Sequence, residues 1–321
     1  MYNNNISGLF KHSRILQIRK LLKRNYSGKR APIPVILHPS WLGQTKPGVA
    51  LSPYLIKTEY QKIQYFDNYY REPRSQHYTQ IYFLNSGAKN DNLIDDLRSL
   101  YTVNSSVQNP RINIGGDHSM SISTLAYTLN KYPNAKVLWF DAHTDINTYD
   151  SSETKNIHGM PLSILSELDK TYRKNFSFIK NHLSLNNLMY IGIRSIDDYE
   201  KEVIDKYNIS YIPSKIVNNN PEQSVSIIKD FISDSPFHLS IDVDSLSSDI
   251  MPCTGTPVEN GIYYAQLQYL INHITSMNNL INVDLVELNI VDSDTSGMEK
   301  ECLDKTTMLF QNILKNMEKL Y

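Results

Sequence analysis

The chain has 321 residues, 40% hydrophobic and 20% charged, with 32 basic against 33 acidic side chains and a net charge of −1. That length suits one large α/β domain or two small ones with a sizeable core. Two cysteines, Cys253 and Cys302, exclude a disulfide framework and a zinc-type cysteine cluster, and no apolar run approaches the length that spans a bilayer.

The start of the chain is basic. Lys11, Arg14, Arg19, Lys20, Lys23 and Arg24 crowd it, and no Asp or Glu precedes Glu59. With Leu and Ile interleaved, Met1–Tyr26 has the character of a mitochondrial transit peptide, and Arg24-Asn25-Tyr26 before Ser27 resembles a matrix-protease cleavage pattern. A basic arm touching nucleic acid is the alternative. Removing those six basic residues leaves 26 basic against 33 acidic side chains, a balance that argues against a nucleic-acid partner. The expected organisation is a presequence over 1–26 and a single catalytic domain over 27–321. The expected location is the mitochondrial matrix, with the cytoplasm as the alternative.

Beyond Lys29, strand-like and helix-like pieces alternate without an internal repeat. Pro34–Leu37 reads as a strand, followed by a loop punctuated by Pro47, Gly48 and Pro53. Asp91–Tyr101 reads as a helix and Arg111–Ile114 as the strand entering Gly115-Gly116. A helix over Ser119–Asn130 and a buried strand over Val137–Phe140 come next. Further strands are expected at Leu188–Ile193, Ile209–Ile212, Phe237–Ile241 and Val283–Val286, with helices at Tyr199–Tyr207, Ser224–Ile232 and Tyr264–Ile274 between them. Phe310, Ile313, Leu314 and Met317 mark the apolar stripe of a last helix. This alternation predicts a three-layer α/β/α fold with a mostly parallel central sheet.

Reactive groups of such sheets gather beyond the carboxyl ends of the strands. His118 follows the strand ending at Ile114, Asp141 the one ending at Phe140, and Asp242 the one ending at Ile241. Asp141-Ala142-His143-Thr144-Asp145 and Asp242-Val243-Asp244 place alternate side chains on one side of an extended chain. Four carboxylates and two imidazoles form a hard donor set without thiolate, suited to Mn²⁺ and less specifically to Mg²⁺, Co²⁺ or Fe²⁺. Two such ions sharing a water make a nucleophile near neutral pH, which points to a metal-dependent hydrolase. Read singly, each acid is as well explained as a cap or a solvated charge; three clusters at strand ends favour convergence.

Gly115-Gly116-Asp117-His118-Ser119, Asp141-Ala142-His143-Thr144-Asp145-Ile146-Asn147 and Ser240-Ile241-Asp242-Val243-Asp244 resemble the three signature motifs of the arginase/agmatinase (ureohydrolase) family. The similarity extends through Pro252-Cys253-Thr254-Gly255-Thr256-Pro257 and Val286-Glu287, and covers about Pro34 to Met317. It implies an arginase-like fold, two Mn²⁺ per subunit and a homotrimer or other homo-oligomer. It also implies that His118, Asp141, Asp145 and Asp242 hold one ion and His143 and Asp244 the other, with Asp141 and Asp242 bridging.

The loop after the second motif resembles that of arginases. There the positions matching Asn147, Thr154 and Asn156 receive the substrate α-carboxylate, which agmatine lacks. Asp197, in Gly192-Ile193-Arg194-Ser195-Ile196-Asp197, matches the acid that binds the α-ammonium, with Glu200 nearby. The implied reaction is hydrolysis of L-arginine to L-ornithine and urea. Asp145 would orient the nucleophile, His158 would deliver a proton, Glu287 would hold the guanidinium, and Thr256 would edge the site. Plainer roles stay open: helix capping for Asp197 and Glu200, loop closure for Asn147 and Thr154, a backbone contact for His158, a buried salt bridge for Glu287 and a turn for Thr256. Two other functions stay open as well: a hydrolase of agmatine or another guanidino compound, and a catalytically silent relative serving as a binding subunit. Ser245, Ser247-Ser248, Glu259-Asn260 and Ile290 depart from the family pattern without touching an expected metal ligand.

Overall fold

The structure, a computed structural model, describes residues 32–70, 82–85, 92–291 and 297–320. The presequence expected over 1–26 lies outside the described residues, as does Asp91. Apolar runs too short for helices and flanked by turns become strands. These are β1 Pro34–His38, β2 Tyr82–Asn85, β3 Arg111–Gly115, β4 Lys136–Phe140, β5 Leu188–Ile191, β6 Ser210–Ile212, β7 Phe237–Asp242 and β8 Leu280–Val286. They form one sheet in the order β2-β1-β3-β8-β7-β4-β5-β6, with every neighbouring pair parallel.

Alternation along β4 shows how the layers are built. Leu138 and Phe140 enter a core with Ile228, Leu270 and Phe310, supplied by helices Pro221–Ile232, Tyr264–Ile274 and Glu299–Leu320. Val137 and Trp139 point the other way and pack with Leu97, Leu125 and Ile164 from helices Leu93–Ser106, Ser121–Lys131 and Pro161–Leu165. Each such fully buried apolar side chain contributes about 1.5–3 kcal/mol. The result is the three-layer α/β/α arrangement with a parallel sheet. No helix among the described residues is long and apolar enough to cross a membrane.

The stretch expected as a loop around Pro47 and Pro53 is different. A 3₁₀ turn, Pro47–Leu51, runs directly into a helix at Ser52–Tyr70. Pro53 is accommodated because the first helical turn needs no N–H from it. Strand β2 and the short helices Pro161–Leu165, Lys170–Arg173 and Ser214–Asn219 are too short to carry a period in the sequence.

One face of the central strands is polar. His238, Ser240 and Asp242 alternate with Phe237, Leu239 and Ile241 along β7, and all six are buried. On β8, Asp284 accepts from His238 Nε2 at 3.0 Å and from Ser121 Oγ at 3.1 Å. Thr124 also donates to it, and Asn113 Nδ2 reaches its other oxygen at 2.9 Å. Thr128 holds the far nitrogen of His238 at 3.0 Å. This network fastens the Ser121–Lys131 helix to the sheet directly beneath the strand ends. Replacing Asp284 with Leu is expected to cost about 3–5 kcal/mol, since its buried partners lose their acceptor. Denaturation midpoints of variant and parent test this, and a loss below about 1 kcal/mol refutes it.

Candidate active site

Strands β3, β8, β7 and β4 are consecutive neighbours in the sheet, so the residues that follow them leave it at one edge. Gly116 makes the turn after β3 possible: a Cβ there would lie 1.9 Å from the Ser40 carbonyl oxygen. Asp117 then accepts from Ser119 N at 2.9 Å and from Gly43 N at 3.0 Å, which fixes the turn that carries His118.

His118 is buried, and its Nδ1 lies 3.0 Å from Asp145, 3.1 Å from Asp141 and 3.4 Å from Asp242. Its Nε2 is paired with Ser240 Oγ at 2.8 Å. Its ring stacks on Trp139 at 4.0 Å, and the indole Nε1 of Trp139 donates to Asp141 at 3.1 Å. One nitrogen is thus anchored to the sheet and the other faces the carboxylates. His143 Nδ1 lies 3.0 Å from Asp244 and 3.5 Å from Asp141. Two potential metal-holding triads result, His118–Asp141–Asp145 and Asp141–His143–Asp244, each with its donor atoms within 4.8 Å of one another. Asp141 belongs to both. Asp242 accepts from the Asp244 backbone N–H at 2.8 Å, while Ala142 N donates to Asp244 at 3.0 Å.

Crowding shows in the titration behaviour. Burial and the neighbouring Asp141 charge push Asp145 up to about 7. Burial together with Asp244 and Asp141 pushes Asp242 well above the usual carboxylate range, and Asp244 is also raised. Asp141 goes the other way: burial is outweighed by the flanking His118 and His143, which hold it low. Four ionised carboxylates carry the charge that two divalent cations neutralise. With one imidazole in each triad and no thiol among the ligands, the donor set fits a pair of hard cations.

The same edge carries Glu287. One of its oxygens accepts from His118 N at 2.9 Å and faces His158 Nδ1 at 3.1 Å; the other accepts from Gln44 Nε2 at 2.7 Å. Burial alone would lower the His158 pKa, but the Glu287 carboxylate more than reverses that and lifts it to about 9. Asp145 and Glu287 both have left-handed backbones, with φ of 49° and 68°. For a residue with a Cβ that conformation costs roughly 1–2 kcal/mol, and such strain concentrates where chemistry is done.

At the rim, Asn147 Nδ2 donates to Asp197 at 2.8 Å, and Ser151 Oγ donates to the Asn147 amide oxygen at 2.8 Å. Thr154 is exposed, and its hydroxyl accepts from Asn156 N at 3.3 Å. Asp197 and Glu200 form a capping box at the start of the Asp198–Tyr207 helix. Glu200 is buried and accepts from the backbone N–H groups of Asp197 at 3.0 Å and Ile146 at 3.4 Å. It braces the second acidic loop from behind. Thr256 Oγ1 reaches Asp244 at 3.4 Å. The expected metal ligands, His158 and Glu287 therefore converge, as do Asn147 and Asp197, whereas Thr154 and Asn156 sit further along the same loop. Trp139, Ser240 and Gln44 were not anticipated. The period-two pattern of β7 marks Ser240, and Gln44 has no sequence signature.

The family model described as "Arginase family" matches residues 32–317. The chain is 34% identical over 195 residues to the arginase of Glaciozyma antarctica, covering 56% of this chain and 54% of that one. It is 30% identical over 286 residues to the arginase of Eremothecium gossypii, covering 82% and 70%. The crystal structure of Entamoeba histolytica arginase in complex with L-ornithine superposes with a TM-score of 0.74 at 26% identity, covering 88% of this chain and 97% of that one. The chain spans about half the length of the first curated relatives it matches. The family match runs across nearly all of the described residues, ends of the sheet and acidic loops included, and the chain belongs to the arginase family.

Proposed function

We propose that this protein is a binuclear manganese hydrolase that converts L-arginine and water to L-ornithine and urea. The observation that carries the reading is the pair of His/Asp triads sharing Asp141, with Glu287 beside them. His118, Asp141, Asp145 and Asp242 would hold one ion, and His143 and Asp244 the other, with Asp141 and Asp242 common to both. Divalent cations held there would supply Lewis-acid activation of a water as nucleophile near neutral pH.

The chain's own groups do the rest. Glu287 takes the guanidinium by charge-assisted hydrogen bonds, its present partners Gln44 and His158 giving way. Asp145 orients the attacking water toward the guanidinium carbon and takes a proton from it as the new C–O bond forms. As the bond from that carbon to the side-chain nitrogen breaks, His158 gives a proton to the departing amine. Asn147, Thr154 and Asn156 receive the α-carboxylate, Asp197 the α-ammonium, and Thr256 steadies Asp244. The Entamoeba histolytica arginase structure holds L-ornithine, the amino acid this reaction releases.

We further infer that the acid-free Met1–Tyr26 directs the protein to the mitochondrial matrix and that the mature chain forms a homotrimer or other homo-oligomer. Native protein is then expected to begin at or near Ser27 and to have the light-scattering mass of three chains or another whole multiple above one. An intact Met1 overturns the first inference and a monomer mass the second.

Urea release from arginine and agmatine, compared with added Mn²⁺, tests the substrate. A kcat/KM ratio of at least about 10² in favour of arginine is expected, because agmatine leaves the rim donors unpaired. Equal rates or a preference for agmatine refute the assignment. The His158–Glu287 pair has its own pH signature. Because His158 is lifted to about 9, above its unfolded value near ~6.5, the stability it adds is complete below about pH 6.5 and lost as pH rises through about 9. Glu287→Gln is expected to be about 1.5–3 kcal/mol less stable than the parent at pH 6, with the gap closing by pH 10. A gap that stays constant across that range contradicts the pair.

A further inference from the structure

Arg194 lies in the segment after β5, and its guanidinium meets only backbone carbonyls among the described residues. Nη2 donates to Asp244 O at 2.8 Å, Leu246 O at 3.0 Å and Val258 O at 2.8 Å. Nη1 donates to Gly192 O at 3.0 Å and Ser245 O at 3.5 Å, and Nε to Glu259 O at 2.8 Å. All five N–H donors of the side chain are thereby engaged. The space is shaped for it: a Cβ on Gly261 would lie 2.7 Å from Nη2.

The backbone of the same segment grips the other half of the site. Arg194 N and Ser195 N both donate to Ala142 O, at 2.8 and 3.0 Å, and Ala142 sits between Asp141 and His143. One residue therefore ties down the chain on either side of the His143–Asp244 pair, and also the Val258–Glu259 rim that leads back to Thr256. The His118 half is supported differently, by Ser240 and Trp139.

We propose that Arg194 is a positioning residue that sets the affinity of the His143–Asp244 half of the centre for its cation. The inference rests on the two-ion reading. Ligands must be held within about 0.5 Å of productive geometry. A lysine, with a compact ammonium and three donors, cannot span six carbonyls.

The test is a calorimetric Mn²⁺ titration of ion-free parent, Arg194→Lys and Arg194→Met, with paramagnetic resonance spectra and thermal melts of the same samples. The parent is expected to take up two ions and to give the signal of a coupled pair. Each variant is expected to bind its first ion with parental affinity and its second about 10–100-fold more weakly, with the spectrum of an isolated ion at one equivalent. Variants that match the parent at both steps overturn this proposal alone. So does equal weakening of both steps accompanied by a lowered ion-free melting temperature, which would mark general loosening. Should Arg194→Met fail to fold, Arg194→Lys decides. A parent that binds fewer than two ions overturns the proposal together with the metal-centre reading.

Discussion

Everything at the carboxyl edge of the sheet follows from the repulsion among Asp141, Asp145, Asp242 and Asp244. Four acids removed from water within hydrogen-bonding reach of two imidazoles cannot all ionise unless cations join them. The fold accepts this because a large, well-packed sheet holds the strand ends in place regardless of their charge. The divergent titration of the four makes the same point: Asp141, set between both imidazoles, is held low while the others are driven up. Neutralising cations would turn that repulsion into attraction. Metal binding and stability of this edge are therefore one thermodynamic quantity.

Parallel strands solve a placement problem that loops alone would solve badly. Each strand delivers its last residue to the same edge, and the period of two sends alternate residues to one face. β7 uses that period twice. His238 locks the sheet to the Ser121–Lys131 helix through Asp284, Ser240 anchors His118, and Asp242 enters the acid cluster. Structural support and chemistry thus lie along a single face of one strand. The left-handed backbones at Asp145 and Glu287 are tolerated for the same reason. They sit on turns that leave rigid strands, and burial of the surrounding core offsets a strain of about 1–2 kcal/mol each.

The central strands and the acid clusters were legible in the sequence, because a short apolar run that ends abruptly in Asp or His at period two is what a strand delivering polar groups to a sheet edge looks like. The helix Ser52–Tyr70 was not. Its Pro47-Gly48 approach and Pro53 carry turn chemistry, and Pro is as welcome in a first helical turn as in a loop. The supports of the site were hidden for a deeper reason. Arg194 bonds backbone carbonyls and Gly43 gives a backbone N–H, groups that every residue possesses, so no side-chain pattern announces these pairings. Glu200 has a side chain that suits an ammonium, which directs a sequence reading toward the substrate. Its neighbours instead turn it inward, onto the N–H groups of Asp197 and Ile146.

The rim then raises a question of charge that the Asn147–Asp197 contact answers. An amino acid presents an anion and a cation less than the length of one side chain apart, and Asp197 alone would attract one while repelling the other. Asn147 stands beside Asp197 and gives it one amide hydrogen at 2.8 Å. Ser151 fixes the amide orientation from the other end, and on the proposed reading the second amide hydrogen would meet the substrate carboxylate. A neutral donor interposed next to an acid would let opposite charges be received side by side. Because the rim is partly exposed, each contact there is weak. On the proposed function, discrimination between arginine and its decarboxylated analogue would come from several such contacts acting in register, a demand on the loop from Asn147 to Asn156 as a whole rather than on any one of its residues.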